Sequence, residues 1–128
     1  MPPSRRRNRI VIVLDSDPQD RHATSGLIDT GGDVNVHAPR TWAEALAIIP
    51  DFEEGDCVIC EVNLPGDGWE GMNASKAWSL IGLMDGVTFI LYYSGEDTSR
   101  LPDRVPRARK SDGNRFYELY KKAVPTRC

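Results

Sequence analysis

No stretch of the chain approaches the ~18 consecutive apolar residues that a helical membrane span needs, so none is expected. The run Ile10-Val11-Ile12-Val13-Leu14 follows a basic N-terminus, but it is too short for the apolar core of a signal peptide and leads straight into Asp15. A cytoplasmic protein is therefore expected. An excess of one charge is also missing. Lys and Arg total 16 against 19 Asp and Glu, which gives nucleic-acid binding through the domain as a whole no electrostatic support. Cysteine is scarce and odd in number at 3, which is no disulfide framework. Cys57 and Cys60 have the C-x-x-C spacing, but in a strand positions three apart point to opposite faces. They can neither pair nor share a metal there, and read as small buried residues. Cys128 is terminal. The two histidines, His22 and His37, have no second ligand at metal spacing and read as ordinary helix-surface and strand residues. No internal repeat or low-complexity tract is present.

What the chain does contain is organised around Asp56-Cys57-Val58-Ile59-Cys60-Glu61-Val62-Asn63-Leu64-Pro65-Gly66. Residues 57–60 form a short apolar run between an acidic turn and Pro-Gly, the pattern of a strand buried on both faces in the middle of a parallel sheet. Glu61 stands where the run stops. Ligand sites of open α/β sheets lie at the carboxyl ends of the strands, so this acid sits where such a domain does its chemistry.

The remaining elements follow in alternation. Residues 1–8 are Pro- and Arg-rich (Arg5, Arg6, Arg7) and read as a disordered basic tail, or as an arm for phosphate or an acidic partner. Residues 10–14 are a second buried strand. Asp15-Ser16-Asp17-Pro18 is a helix start, and the helix is expected over 18–30 with Ala23, Leu27 and Ile28 inside and Gly31-Gly32 at its end. Residues 34–38 alternate as a strand with one wetter face. Thr41-Trp42-Ala43-Glu44 is a capping box, opening a helix with Trp42, Ala45, Leu46 and Ile49 inside and Pro50 as its stop. A loop at 63–71 precedes a third helix at 72–84 bearing Ala74, Ala77, Trp78 and Ile81. A strand follows at 87–93, closed by Ser94-Gly95. Pro102 and Pro106 forbid a normal helix between 96 and 110, so an irregular crossover and a poor, edge-like fifth strand at 105–109 are expected. Ser111-Asp112 caps a last helix with Phe116, Leu119, Tyr120 and Ala123 on one face, ended by Pro125.

At 128 residues and 40% apolar content this is one domain with a real core. The alternation implies an α/β fold with a central parallel sheet. Polar residues mark the strand ends: Asp15-Ser16, Glu61, Ser94 and, after the weak fifth strand, Lys110. Together, and across residues 9–124, these resemble the receiver domains of two-component response regulators. The resemblance implies a flavodoxin-like, doubly wound five-stranded parallel sheet. It also implies a site in which two acids after the first strand hold Mg²⁺ and an Asp after the third accepts a phosphoryl group. A Ser or Thr after the fourth strand and a Lys after the fifth then bind the phosphate.

On that resemblance the acceptor position is Glu61 and the acidic pocket is Asp15, Ser16 and Asp17. The phosphate-binding positions are Ser94 and Lys110. Tyr92 is an alternative to Ser94 by a two-residue slip, but Gly95 favours Ser94. The departures all touch phosphorylation. Glu61 replaces the acceptor Asp, and the neutral Ser16 replaces the acid that usually ligates Mg²⁺ directly. Arg107 takes the place of the aromatic that usually turns inward on phosphorylation. Ser111 replaces the Pro after the Lys, the loop 64–68 looks one residue short, and the fourth helix is shortened or absent between 97 and 106. Mg²⁺ binding is accordingly expected to be weak or absent, with no cofactor and no enzymatic activity. Glu61 reaches one methylene further than Asp and could pair with Lys110.

The reading that results is a pseudo-receiver: a signalling module acting through protein–protein interaction, with a protein partner, an output domain or a second copy of itself. Residues 125–128 are a tail with no sign of an output domain. Two other readings stand beside it. One is a phosphorylatable receiver that uses Asp17 or Asp67 for the missing acid. The other is a small flavodoxin-like enzyme or nucleotide binder, against which the chain shows no Gly-rich phosphate cradle after Leu14.

Overall fold

The computed structural model describes residues 8–28, 34–95 and 97–124. The Arg-rich segment 1–7, the Gly31-Gly32 helix end and the tail 125–128 lie outside the described residues. Five strands form one parallel sheet: β1 (Arg9–Leu14), β2 (Val34–His37), β3 (Cys57–Cys60), β4 (Thr88–Tyr93) and β5 (Arg107–Arg109). Their order in space is β2-β1-β3-β4-β5. The order reverses between β1 and β3, the crevice where doubly wound sheets place their ligands.

Among the described residues four α-helices flank the sheet: α1 (Pro18–Ile28), α2 (Trp42–Ile48), α3 (Ala74–Ala77) and α4 (Gly113–Ala123). Alternation along each strand divides the core in two. Ile12, Leu14, Val58, Cys60, Phe89 and Leu91 face α2 and α3. Val11, Val13, Cys57, Ile59 and Ile90 face α1 and α4. The two cysteines thus lie on opposite faces, as period-two geometry requires. Asp56 is buried at the base of β3, where its two oxygens accept from Ile10 N–H at 2.9 Å and Glu53 N–H at 2.8 Å.

Several elements differ from the sequence-based expectation. In α1 the inner residues are Thr24 and Ile28, four apart on one stripe, while Ala23 is exposed and Leu27 is 50% exposed. A β-branched Thr holds the position that apolarity alone assigned to Leu27. In α2, Trp42, Ala45, Ile48 and Ile49 meet the core, and Leu46, off the edge of that stripe, is 48% exposed. The chain does not stop at Pro50 but tightens into a 3-10 turn, Ile49–Asp51. The third helix is shorter than expected. Asn73 caps α3, which passes after one turn into a π turn at Trp78–Gly82, with Ala74, Ala77 and Ile81 buried as anticipated. β5 begins at Arg107 rather than 105, because Val105 turns into the core and Pro106 has no N–H to give. The described part of the crossover, 97–106, contains no helix.

Candidate functional site

Four of the strand ends, those of β1, β3, β4 and β5, deliver a group to the crevice. β1 runs straight into Asp15, which is 4% exposed, and β3 into Glu61, which is 7% exposed; Glu61 N–H donates to Leu14 O at 3.0 Å and prolongs the β1–β3 ladder. β5 delivers Lys110, whose N–H donates to Tyr93 O at 2.6 Å. Backbone pairing thereby fixes the roots of Glu61 and Lys110.

The Lys110 ammonium lies at the centre. Its Nζ is 2.6 Å from Asp15 Oδ2, 2.8 Å from Glu61 Oε2 and 3.0 Å from Asp20 Oδ2. Burial alone would push this ammonium down; hydrogen bonds to Asp15, Glu61 and Asp20 outweigh it and hold its pKa above the ordinary lysine value. Glu61 is engaged on both oxygens. Oε1 accepts from Val62 N–H at 2.8 Å, and Oε2 accepts from Ser94 Oγ at 3.1 Å as well as from Lys110. The second Asp15 oxygen accepts from Asp17 N–H at 3.0 Å. The Cys60 thiol beside them is pushed well up, first by burial, then by the Glu61 and Asp15 carboxylates.

Asp15, Glu61, Ser94 and Lys110 are thus brought together, while other expected members are not. Asp17 is exposed and spends Oδ1 on the α1 N-terminus, accepting from Gln19 N–H at 2.9 Å and Asp20 N–H at 3.3 Å. Asp67 is exposed and does not join the cluster. Ser16 makes no side-chain bond to the other members. Asp20, missed in the sequence, is the third acid: it lies one helical turn beyond Ser16 and reaches back to Lys110. Tyr92 points to the opposite face and stacks on Phe116 with ring centroids 4.1 Å apart, which leaves Ser94 as the hydroxyl at Glu61. Arg107 lies away from the carboxylates. Its guanidinium donates to Thr98 O and Pro102 O and its Nε to Val105 O, so it holds the crossover together.

The carboxylate oxygens of Asp15, Asp20 and Glu61 lie within 4.8 Å of one another, a donor set suited to a hard cation. The ammonium already stands within 3.0 Å of all three, so an ion could enter only by displacing Lys110. With Lys110 in place these residues do not fit a metal ion.

No family model matches the sequence, and no curated protein does. Solved structures do match. The signal receiver domain of an HD domain-containing protein from Pseudomonas fluorescens aligns at 17% identity and TM-score 0.68, over 91% of this chain and 94% of that one. The N-terminal domain of a response regulator/sensory box/GGDEF protein from Carboxydothermus hydrogenoformans aligns at 11% identity and TM-score 0.68, over 90% and 93%. A two-component response regulator from Cytophaga hutchinsonii aligns at 14% identity and TM-score 0.61, over 92% and 98%. The fold is that of the receiver domains.

Proposed function

We propose that this receiver-fold domain is a phosphorylation-independent signalling module, held in one state by its own Glu61. One observation carries the reading. The two groups that bind phosphate in receiver domains, by the resemblance Ser94 and Lys110, are both engaged by the Glu61 carboxylate. A carboxylate attacks phosphorus only with an oxygen free and the surrounding charge neutralised. Here one Glu61 oxygen is tied to the backbone, the other carries two partners, and the neutralising cation is Lys110 itself. We ascribe no reaction to the domain. Its output is contact with a protein partner, in the cytoplasm.

The test is an amide NMR spectrum recorded with Mg²⁺ and then beryllofluoride, a phosphoryl mimic. The expected result is no saturable shift at Asp15, Glu61, Ser94 or Lys110. Saturable shifts there would overturn the reading in favour of a living phosphoacceptor. The presence of Asp20 favours that second reading, because it supplies a carboxylate that Ser16 cannot.

A further inference from the structure

Beside the Glu61 cluster, between the segments that follow β3 and β4, lies a separate pocket of about 230 Å³. Val62 and Asn63 form one wall, and Asn73 and Ser75, at the start of α3, form another. The crossover closes it with Asp97, Arg100 and the buried Leu101. These walls are held by bonds of their own. Asn63 and Asn73 oppose each other across an antiparallel bridge, which puts their side chains on the same side. Asn73 Oδ1 caps α3 by accepting from Lys76 N–H at 2.9 Å, so its amide NH₂ remains to donate. On the crossover, Leu101 N–H donates to Thr98 O at 3.1 Å, and the Arg107 guanidinium grips the same carbonyl. A site formed before its ligand arrives costs less to fill.

The pocket carries one charge of each sign. Asp97 Oδ1 accepts from Ser99 N–H at 2.9 Å. That bond and the Ser99 hydroxyl, then the Arg100 charge, hold the Asp97 carboxyl below its ordinary value, so it is ionised at neutral pH. The two charges do not close on each other. Asp97 and Arg100 form no ion pair, and Arg100 has none with any other described residue. A plain anion here would meet Asp97, and a plain cation would meet Arg100; like charges brought together oppose entry. A molecule that bears both charges satisfies both walls. The volume limits its size. At about 30 Å³ of liquid per water the space equals several waters, and it falls below the roughly 300 Å³ where pockets for drug-sized ligands begin.

We propose that this pocket binds a free α-amino acid, with its carboxylate on the Arg100 fork and its ammonium on Asp97. A planar guanidinium matches a carboxylate with two parallel hydrogen bonds. The Asn63 and Asn73 amides, the Ser75 hydroxyl and the apolar Val62 and Leu101 are left for the side chain, which should be small and uncharged. None of the groups that engage the second Glu61 oxygen takes part, so the proposal goes beyond the signalling reading and does not depend on it. Val62 is the link between the two sites, since its N–H donates to Glu61 Oε1 at 2.8 Å.

The test titrates L-amino acids with uncharged side chains, one at a time, into isotope-labelled protein. Saturable amide shifts are expected at Val62, Asn63, Asn73, Ser75 and Arg100 with the smaller polar ones. Two capped forms of the tightest binder then separate the charges. The N-acetyl form lacks the ammonium, and the carboxamide lacks the carboxylate. Each should bind about tenfold more weakly, the worth of one charge-assisted hydrogen bond. Two variants at exposed positions assign the charges to residues. Asp97→Asn keeps Oδ1 for Ser99; it should erase the preference for the free amine and retain the preference for the carboxylate. Arg100→Gln should do the converse. The site would be overturned by the absence of saturable shifts at millimolar amino acid, by capped forms that bind as well as the free one, or by preferences that survive both variants. Shifts confined to Asp15, Glu61 and Lys110 would overturn it as well, because the ligand would then sit on the carboxylate cluster.

Discussion

Lys110 is the residue on which the site turns, because it is the cation for three carboxylates, two of them buried. Replacing it by Met would leave Asp15 and Glu61 in a low-dielectric crevice with no counter-charge. Removing one partner of a buried pair costs about 3–5 kcal/mol, so Lys110→Met should lower stability by that order in urea unfolding. Mg²⁺ should restore part of the loss, since the vacated centre is then bracketed by the oxygens of Asp15, Asp20 and Glu61. A variant equally destabilised with and without Mg²⁺ would show that the carboxylates do not form a cation site. A second prediction concerns the acceptor. Glu61→Asp shortens the side chain and frees Ser94, but Ser16 still offers no charged ligand, so a small phosphodonor such as acetyl phosphate should not label it. The double variant with Ser16→Asp should be labelled in an Mg²⁺-dependent way. Efficient labelling of the single variant would show that Asp20 already replaces the missing acid. Asp15, Glu61, Ser94 and Lys110 were legible in the sequence because each stands one or two residues past an apolar or strand-like run. Asp20 was not, because an acid in a first helical turn looks like an ordinary response to the helix dipole. Asp17 was misplaced for the converse reason: its cap role already accounted for it.

Arg107 and Trp69 act through whole elements rather than at the site. The Arg107 guanidinium ties together Thr98, Pro102 and Val105, the carbonyls that a helical crossover would have satisfied within itself. Arg107→Ala should cost about 2 kcal/mol through lost charge-assisted hydrogen bonds. It should also speed amide exchange across 97–106 while β4 stays protected. Unchanged exchange in the crossover would mean that Leu101 and Val105 hold it without the arginine. In the loop after β3, Trp69 is buried and its Nε1–H donates to Arg40 O at 2.9 Å, while Trp42 N–H donates to Gly68 O at 2.8 Å. Gly68 has φ +86°, and a Cβ there would lie 2.5 Å from Thr41 Cγ2. Thr41 cannot swing aside freely, because its Oγ1 accepts from Glu44 N–H at 3.1 Å to cap α2. Gly68→Ala should therefore cost about 2–3 kcal/mol in urea unfolding, from left-handed backbone strain and overpacking together. A loss under about 0.5 kcal/mol, the scale of an ordinary surface change, would show that the loop can shift as a unit. Sequence periodicity found every strand and most helix starts, because caps and apolar runs are local. It could not find the anchoring of this loop, which depends on Trp69 meeting residues nearly thirty positions earlier. Nor could it show the π turn, whose apolar spacing is that of a continuing helix.

The alternating order of elements implies a parallel sheet, and its central strand β3 is buried along its whole length. That burial governs how the whole molecule responds to alkali. Cys57 is pushed from 9.0 up to about 12, first by burial and then by Asp56, and Cys60 is raised well above 9.0. Burial, and secondarily Cys57, raises Tyr120 from 10.0 to about 12, and burial raises Tyr92 as well. All of these groups, and Lys110, hold their protons more tightly folded than unfolded. Each contribution is therefore fully present below the unfolded pKa and is lost as pH climbs from that value through the folded one. The thiols set the onset near 9.0, and the tyrosines and Lys110 steepen the fall above 10.0 and 10.5. The slope reaches up to about 1.4 kcal/mol per pH unit for each group in its window. Urea unfolding between about pH 8 and 11 should show a flat region followed by this two-stage decline. The double variant Cys57→Ala/Cys60→Ala, though less stable throughout from lost packing, should delay the onset by about one pH unit, to where tyrosine begins to ionise. If the variant keeps the early onset, ionisation of the thiols is not what first loosens the sheet.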